Sequence, residues 1–390
     1  MPTELLKIIA GDMLLRPWQA ADAHEVYRAC QDPDIQWFTR VPVPYRAEDA
    51  ASFVTEMSPK AWAQGSGAPM GVFDAGTGEL LGACGLVSVL DGTGEIGYWT
   101  APWARGRGVA LTAVRAAATF GFESLGLRRI VWHALVGNHG SRLVALRAGV
   151  RIHGRTRIPA DHTRPVGEPG HGPDGLVPEA LDAWWGTLLP GEVSAATPDR
   201  YAAGSVTARR AATFGVPQPR LPGLVPLRAA DLDLITATCQ DPESARWTVV
   251  PVPYTRADAE FFVLRHAPLT WAAGEGAIFG IVDDQGGYAG TIDLRIDGAD
   301  DANAEVGFLV APWARGRGYA TGALRSICSW GFDALGLSRI VWRAHLGNEA
   351  SRRVAVKAGF TLEGVQRAGC AQRGERRDAW VAARLATDPR

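Results

Sequence analysis

Read by the spacing of apolar positions, the second half of the chain changes period several times. Residues 224–228, LVPLR, read as a short strand, and a helix follows from about Ala230 to Cys239, with aspartates suited to the positive end of its dipole. The run WTVVPVPY, 247–254, holds two prolines two apart; it is neither a regular helix nor a central strand, so it is an extended connection before a helix near Arg256. GAIFGIVDD, GYAGTIDLRID and EVGFLV predict an antiparallel meander. From Gly318 to Leu335, Ala320, Leu324, Ile327 and Trp330 recur three or four apart, marking an amphipathic helix. RIVWRAHL is again a strand, and GNEASRRVAVKAGF a helix that Gly359 ends. Strand, helix, strand is a crossover unit, so the strands at Glu305 and Arg339 are expected to be parallel and close in the sheet. The order predicts a mixed sheet with helices on both faces, in the α/β (α+β) class.

The first half repeats this pattern. Shifted by 210 positions, Glu95–Val150 falls on Glu305–Phe360 without a gap, with 31 of 56 positions identical. CQDPDIQWFTRVPVPYRAEDA from Cys30 matches CQDPESARWTVVPVPYTRADA from Cys239. A period this long is a duplicated domain rather than a solenoid repeat. The expected division is 1–190, a Pro/Gly/Ala-rich linker 191–221, and 222–390, with a possible short helix from Asp199 to Ala212 after Thr197 in the linker. The first copy carries an insertion at about 155–181, whose His162 and His171 read as solvated loop residues.

Composition sets limits. Hydrophobic residues are 47% and charged residues 21%, the balance of a chain that buries a core. Forty basic and forty-one acidic residues leave a net charge of −1, which gives no reason to expect nucleic acid or an anionic membrane as partner. No apolar run reaches membrane-spanning length and no signal peptide opens the chain, so a cytoplasmic protein is expected. The five scattered cysteines lack metal or disulfide spacing, and no metal is expected.

APWARGRG occurs twice, Ala101–Gly108 and Ala311–Gly318, between a strand and a helix. Glycines let backbone approach a ligand, the first-turn N–H groups lack helical partners, and the dipole favours an anion, so each turn suits a pyrophosphate. RGRGVA (Arg105, Gly106, Arg107, Gly108, Val109, Ala110) and RGRGYA (Arg315, Gly316, Arg317, Gly318, Tyr319, Ala320) resemble the Q/R-x-x-G-x-G/A loop of the GNAT N-acetyltransferase superfamily. The flanking EIGYWTAPWARGRG and EVGFLVAPWARGRG resemble it too, most closely the branch acting on N-terminal amines of ribosomal proteins, which also contains enzymes of antibiotics and small amines. The resemblance implies two GNAT folds, each a mostly antiparallel mixed sheet with a parallel, splayed strand pair. Acetyl-CoA would lie in the splay and be attacked directly by a primary amine of a peptide or a small molecule.

An attacking ammonium must first lose a proton, and Glu95 and Glu305, at the start of the strand entering the loop, are the candidate bases. A structural hydrogen bond at a strand end is the alternative. Ser141 and Ser351 in the two N-x-x-S motifs are candidate donors to the leaving thiolate, with Asn138 and Asn348 placed at the pantetheine arm; helix capping explains the same residues. Trp37, Tyr45, Trp247 and Tyr254 are expected to line a surface or an acceptor pocket. His133 has Arg343 in the second copy and is expected to be peripheral. Two further readings stay open: one copy serving as a CoA-binding or scaffold module, and transfer of a longer acyl group. If one copy works, the compact ending of the second follows the family pattern more closely. The halves are expected to pair as a pseudo-dimer within a monomer.

Overall fold

Gly11, at φ 64°, turns β1 (Ile8–Ala10) back on β2 (Met13–Pro17), an antiparallel pair at the edge of the first sheet. The computed structural model describes residues 6–159, 180–298 and 300–389, so His162, His171 and most of the insertion lie outside the described residues. The chain divides into two units, Met1–Tyr201 and Ala202–Arg390.

In the first unit, α1 (Ala23–Ala29) is followed by α2 (Pro33–Phe38), which opens on Asp32: its carboxylate accepts the Ile35 N–H, and Pro33 occupies the first helical position, where no donor is needed. Helices α3 (Ala47–Ser52) and α4 (Ser58–Gln64) precede the meander β3 (Ala68–Asp74), β4 (Leu80–Leu90) and β5 (Thr93–Thr100). Helix α5 (Val109–Glu123) crosses to β6 (Arg129–Leu135), which lies parallel to β5; α6 (His139–Ala148), β7 (Arg151–Pro159) and β8 (Ala180–Leu188) complete an eight-stranded sheet in the order β1-β2-β3-β4-β5-β6-β8-β7.

The sheet is covered on both faces, as its alternation demands. On one face Leu86, Ile96, Ile130 and Trp132 pack with Ala117 and Ala118 of α5 and Ala145 of α6. On the other, Trp99, Phe73 and Leu80 meet Val26, Cys30, Ile35 and Ala50 from α1, α2 and α3.

The second unit opens with α7 (Val206–Phe214) and β9 (Leu224–Pro226), then α8 (Leu232–Gln240), α9 (Pro242–Trp247), α10 (Arg256–Phe261) and α11 (Ala267–Ala273). Strands β10 (Gly276–Val282), β11 (Tyr288–Ile296) and β12 (Asn303–Val310) form the expected antiparallel meander. Helix α12 (Tyr319–Leu335) then crosses to β13 (Arg339–His345), parallel to β12, and α13 (Glu349–Lys357), β14 (Thr361–Gln372) and β15 (Glu375–Leu385) close a seven-stranded sheet. Both sheets are mixed, in agreement with the α+β reading.

The segment 191–221 differs from a plain linker. Its helix begins at Val206 rather than near Asp199, because Ser205 accepts the Ala208 N–H and supplies the cap. Phe214 is buried in the second unit's core, 4.8 Å between ring centroids from Trp271. Among the described residues, no helix is long and apolar enough to cross a membrane.

Helix α6 ends at Gly149 (φ 106°), and α13 is followed by Gly359 (φ 91°). A Cβ at Gly149 would lie 2.1 Å from the Glu192 carbonyl oxygen, whereas at Gly359 the nearest atom is 3.5 Å away, on the Arg384 side chain. Gly359→Ala is expected to cost about 1–2 kcal/mol, the left-handed penalty alone. Gly149→Ala should cost more, since backbone must shift. Urea unfolding of the two variants checks the ranking.

Candidate active site

Each parallel pair runs in register for four residues and then stops. In the first unit pairing extends from Thr93–Arg129 to Ile96–Trp132; in the second, from Asn303–Arg339 to Val306–Trp342. Beyond that point the inner edges of the central strands have no β partner, and buried backbone groups there require other partners.

The loop after each central strand is fixed from beneath. Pro102–Ala104 and Pro312–Ala314 make one 3-10 turn, and the indole N–H groups of Trp103 and Trp313 donate to the Leu80 and Tyr288 carbonyls at 2.9 and 3.2 Å. This anchoring role of the repeated APW was missed from sequence. Gly106 and Gly108 have φ of 76° and 78°, Gly316 and Gly318 78° and 86°, and a Cβ on any of the four would meet nothing within 4 Å. The backbone is therefore exposed towards open space at the N-termini of α5 and α12. The first helical bond of α5 runs from the Thr112 N–H to the Gly108 carbonyl, so the Val109 and Ala110 amides have no helical acceptor. Such a turn fits a pyrophosphate.

The loop arginines divide into two kinds. Arg105 forms ion pairs with Asp32 and Asp34 of the α2 opening, and Arg315 with Asp241 at the start of α9, where it also donates to Ser244 at 3.1 Å. They tie the loop to the helices on the other face. Arg107 is half exposed with Asp74 at 4.0 Å, and Arg317 is exposed, so these two are the arginines available to an incoming anion. Tyr319 directs its hydroxyl to Asp284 at 3.3 Å.

Where the strands part, polar groups gather on both faces. On the face of α6, the Trp132 indole N–H lies 3.3 Å from Ser141 Oγ and 3.1 Å from the Tyr98 hydroxyl, which itself is 2.9 Å from Ser141 Oγ. Tyr98 was not singled out from sequence; the signal was its replacement by Phe308 in the second copy. Burial raises the Tyr98 phenol well above its ordinary pKa, so it stays protonated. In the second unit Trp342 donates to Ser351 at 3.3 Å with no such tyrosine beside it. Asn138 and Asn348 use their side-chain oxygens to cap α6 and α13, accepting the Ser141 and Ser351 N–H groups at 3.1 Å. Capping therefore accounts for the asparagines and places each serine hydroxyl at the splay.

The opposite face carries the glutamates. Glu95 lies 3.1 Å from Arg40 Nη2 and 3.5 Å from His133 Nδ1. The His133 imidazole beside it, opposed by partial burial and aided by Arg40, holds its carboxyl below the usual glutamate range. Glu305 is bridged by Arg343 and by Arg295, the latter at 3.0 Å, and Arg295 also pairs with Asp293. The difference arises locally: β4 bulges between Leu86 and Ser88 and brings Ser88 opposite Glu95, whereas unbulged β11 sets Arg295 opposite Glu305. His133, expected to be peripheral, is thus in direct contact with the candidate base, as is its counterpart Arg343.

The aromatic residues split. Tyr45 and Tyr254 are 6% and 7% exposed and bonded to the thiols of Cys30 and Cys239, beneath the surface rather than on it; burial pushes those thiols up to about 12 and about 11. Trp37 is half-buried in α2. Trp247 lines a cleft of about 1720 Å³ in the second unit, together with Glu305, Arg315, Gly318, Asn348 and Ser351. Tyr254 borders the same cleft from below. Gln372, at the tip of the β14–β15 hairpin, closes one side of this unit by donating to the Arg246 and Thr248 carbonyls at 3.0 and 2.7 Å. The matching part of the first unit falls outside the described residues.

A family model described as an acetyltransferase (GNAT) domain matches residues 12–151 and again 223–361, together more than half of the chain. The chain belongs to the GNAT family. Over 85 residues it is 39% identical to the uncharacterized N-acetyltransferase YoaA of Bacillus subtilis strain 168, covering 22% of this chain and 48% of that protein. The chain thus spans about half the length of the curated relatives it matches. Among solved structures, it is similar to Mycobacterium smegmatis RimJ in complex with CoA-disulfide (23% identity, 43% of this chain and 85% of that one, TM-score 0.39). It is also similar to the ribosomal-protein-S5-alanine acetyltransferase of Vibrio fischeri (20%, 42% and 93%, TM-score 0.38).

The depressed Glu95 carboxyl makes a stability prediction for this GNAT chain. A group whose folded pKa lies below its unfolded value adds stability above the unfolded value and loses it as pH falls through the folded one. The first unit should therefore weaken as pH drops from the usual glutamate range (about 4.3) through the lower folded value. In Glu95→Gln this part of the acid dependence should vanish, as read by urea unfolding at pH 6 and at stepwise lower pH.

Proposed function

We propose that the chain is an acetyl-CoA-dependent N-acetyltransferase whose acceptor is a primary amine, on a peptide or protein N-terminus or on a small molecule. The observation that carries this reading is the repeated arrangement of an open glycine loop at a helix N-terminus beside a parallel strand pair that parts. In this reading the pyrophosphate of acetyl-CoA rests on the amides of Val109 and Ala110, or of Tyr319 and Ala320, with Arg107 or Arg317 adding charge. The pantetheine arm enters the splay, and free backbone N–H groups of β5 or β12 receive the oxyanion.

The amine nitrogen attacks the thioester carbonyl carbon directly. A C–N bond forms, the C–S bond breaks, and no acyl-enzyme intervenes. The nitrogen gives up two protons on the face that carries Glu95 or Glu305, one before attack and one as the amide forms; the thiolate takes one from the Ser141 or Ser351 hydroxyl on the other face, which the second of those protons restores through water. Ser141 Oγ accepts from the Trp132 indole N–H and shares a hydrogen bond with the Tyr98 hydroxyl, which also donates to the Ser141 carbonyl, so the serine is held in place at the splay. The name of one relative, the putative ribosomal N-acetyltransferase YdaF of Bacillus subtilis strain 168, supports a ribosomal-protein amine as one acceptor class to test.

A second reading has its own observation. Glu305 is held by two guanidinium groups, which occupy its oxygens, so the second unit fits a module that binds CoA with little or no turnover.

Calorimetric titration of acetyl-CoA tests the proposal. Wild-type chain should show two sites, with one lost in Gly108→Trp and the other in Gly318→Trp, because each indole fills one loop cradle. Release of free CoA thiol is then followed with peptides bearing free N-termini and with small-molecule amines. No acetyl-CoA binding, or no thiol release with any amine, would defeat the reading.

A further inference from the structure

We propose that His133 is the general base of the first unit and that Glu95 is its positioning residue, a carboxylate–imidazole pair that the second unit lacks. The inference deepens the acetyltransferase reading and rests on it.

Position comes first. Parallel pairing of β5 and β6 ends at Ile96–Trp132, so His133 is the first residue of β6 beyond the last pair, at the mouth of the splay. Its register neighbours place it on the same face as Glu95, opposite the face that holds Ser141, Tyr98 and Trp132. A proton acceptor and a proton donor thus flank the parting strands from opposite sides, as attack by an ammonium on one side of a thioester and departure of a thiolate on the other require.

Chemistry comes second. His133 Nδ1 faces Glu95 Oε1 at 3.5 Å, a distance that tightens to a hydrogen bond with a small adjustment. With Nδ1–H given to the carboxylate, Nε2 carries the lone pair, and the imidazole side chain is 28% exposed, open to an acceptor. Glu95, already bonded to Arg40 and depressed in pKa, is a poor proton acceptor and a good orienting anion. In the step proposed, Nε2 takes one proton from the ammonium and passes it to water, and the freed nitrogen lone pair attacks the thioester carbon. As the C–S bond breaks, the nitrogen gives its second proton to Nε2 while Ser141 gives its own to the thiolate; Glu95 stabilises the imidazolium until that second proton returns through water to the Ser141 oxygen. In the second unit Arg343 occupies the position of His133 and has no lone pair to offer.

Among the described residues, the groups that bear on this imidazole are few. Glu95 comes from β5, and Arg40 from the segment after α2. On β8 its register partner is Trp185, against which His153 of β7 packs with 4.6 Å between ring centroids. Arg129 and Arg151 on the same face turn to Thr93 and Glu192. His153 is the other imidazole on this face, and its Nε2 is engaged by Thr187 at 2.7 Å.

The test uses the full chain, acetyl-CoA and an amine that gives CoA release. Wild-type kcat/KM should fall along an acidic limb as the base takes up a proton. His133→Gln should lose about 10²–10⁴-fold in kcat and lose that limb, while calorimetric affinity for acetyl-CoA stays unchanged, which excludes misfolding. Glu95→Gln should keep a limb but move it to lower pH, because the imidazolium has lost its anion. His153→Asn should leave rate and profile as they are. Wild-type turnover that survives in His133→Gln, or a limb that disappears with His153→Asn or with His345→Gln of the second unit, overturns the proposal alone. No CoA release by wild type with any amine overturns the acetyltransferase reading and this proposal together.

Discussion

The parting of the two parallel strands governs the site. Four residue pairs hold β5 to β6, and β12 to β13, and after Trp132 and Trp342 the ladder ends. A sheet interior with unpaired backbone groups is tolerated only where a ligand or water completes it. The opening is maintained from outside: β4 and β11 pair with the central strands to their ends, and the antiparallel β8 and β15 hold β6 and β13. The strands therefore diverge between two firmly paired flanks. The glycine loop at the end of the same central strand shares this geometry, because the Trp103 and Trp313 indoles peg it to the neighbouring strand.

Two units built on this constraint have diverged where divergence costs little packing. The identical residues of the two halves include APWARGRG, the paired N-x-x-S and the core tryptophans 132 and 342, which determine loop, cap and packing. The differences cluster around the glutamates: Ser88 opposite Glu95 against Arg295 opposite Glu305, His133 against Arg343, Arg40 against Val249. None of these positions is buried, so a change of charge there alters proton chemistry without leaving a cavity in the core. One glutamate ends beside an imidazole and an arginine, and the other between two guanidinium groups.

Local interactions explain why some side chains are where they are without any reference to ligand. Asp32 and Asp241 cap their helices and then anchor Arg105 and Arg315; Asn138 and Asn348 cap theirs and so aim Ser141 and Ser351. Helix caps and cleft chemistry use the same atoms. The two readings of the N-x-x-S motif, capping and catalysis, are compatible for that reason: the asparagine does the first and leaves the serine hydroxyl for the second.

The sequence by itself determined the duplication, the order of elements, the parallel crossover and the glycine loops, because these follow from local periodicity, from φ values that only glycine adopts readily, and from identity between two halves. It also named Glu95, Glu305, Ser141 and Ser351, which lie at the splay. Only the tertiary structure decided what stands beside them. His133 is 38 positions from Glu95 along the chain, Arg40 is 55 positions away and Tyr98 is 43 from Ser141. Their meeting depends on sheet register and on a single bulge in β4 that no periodicity signals. Tyr45 lies beneath the surface, and Tyr254 borders its cleft from below, for a related reason: the buried thiols of Cys30, just after α1, and of Cys239 on α8 hold their hydroxyls inward, a pairing set by how helices dock and not by the residues around each tyrosine.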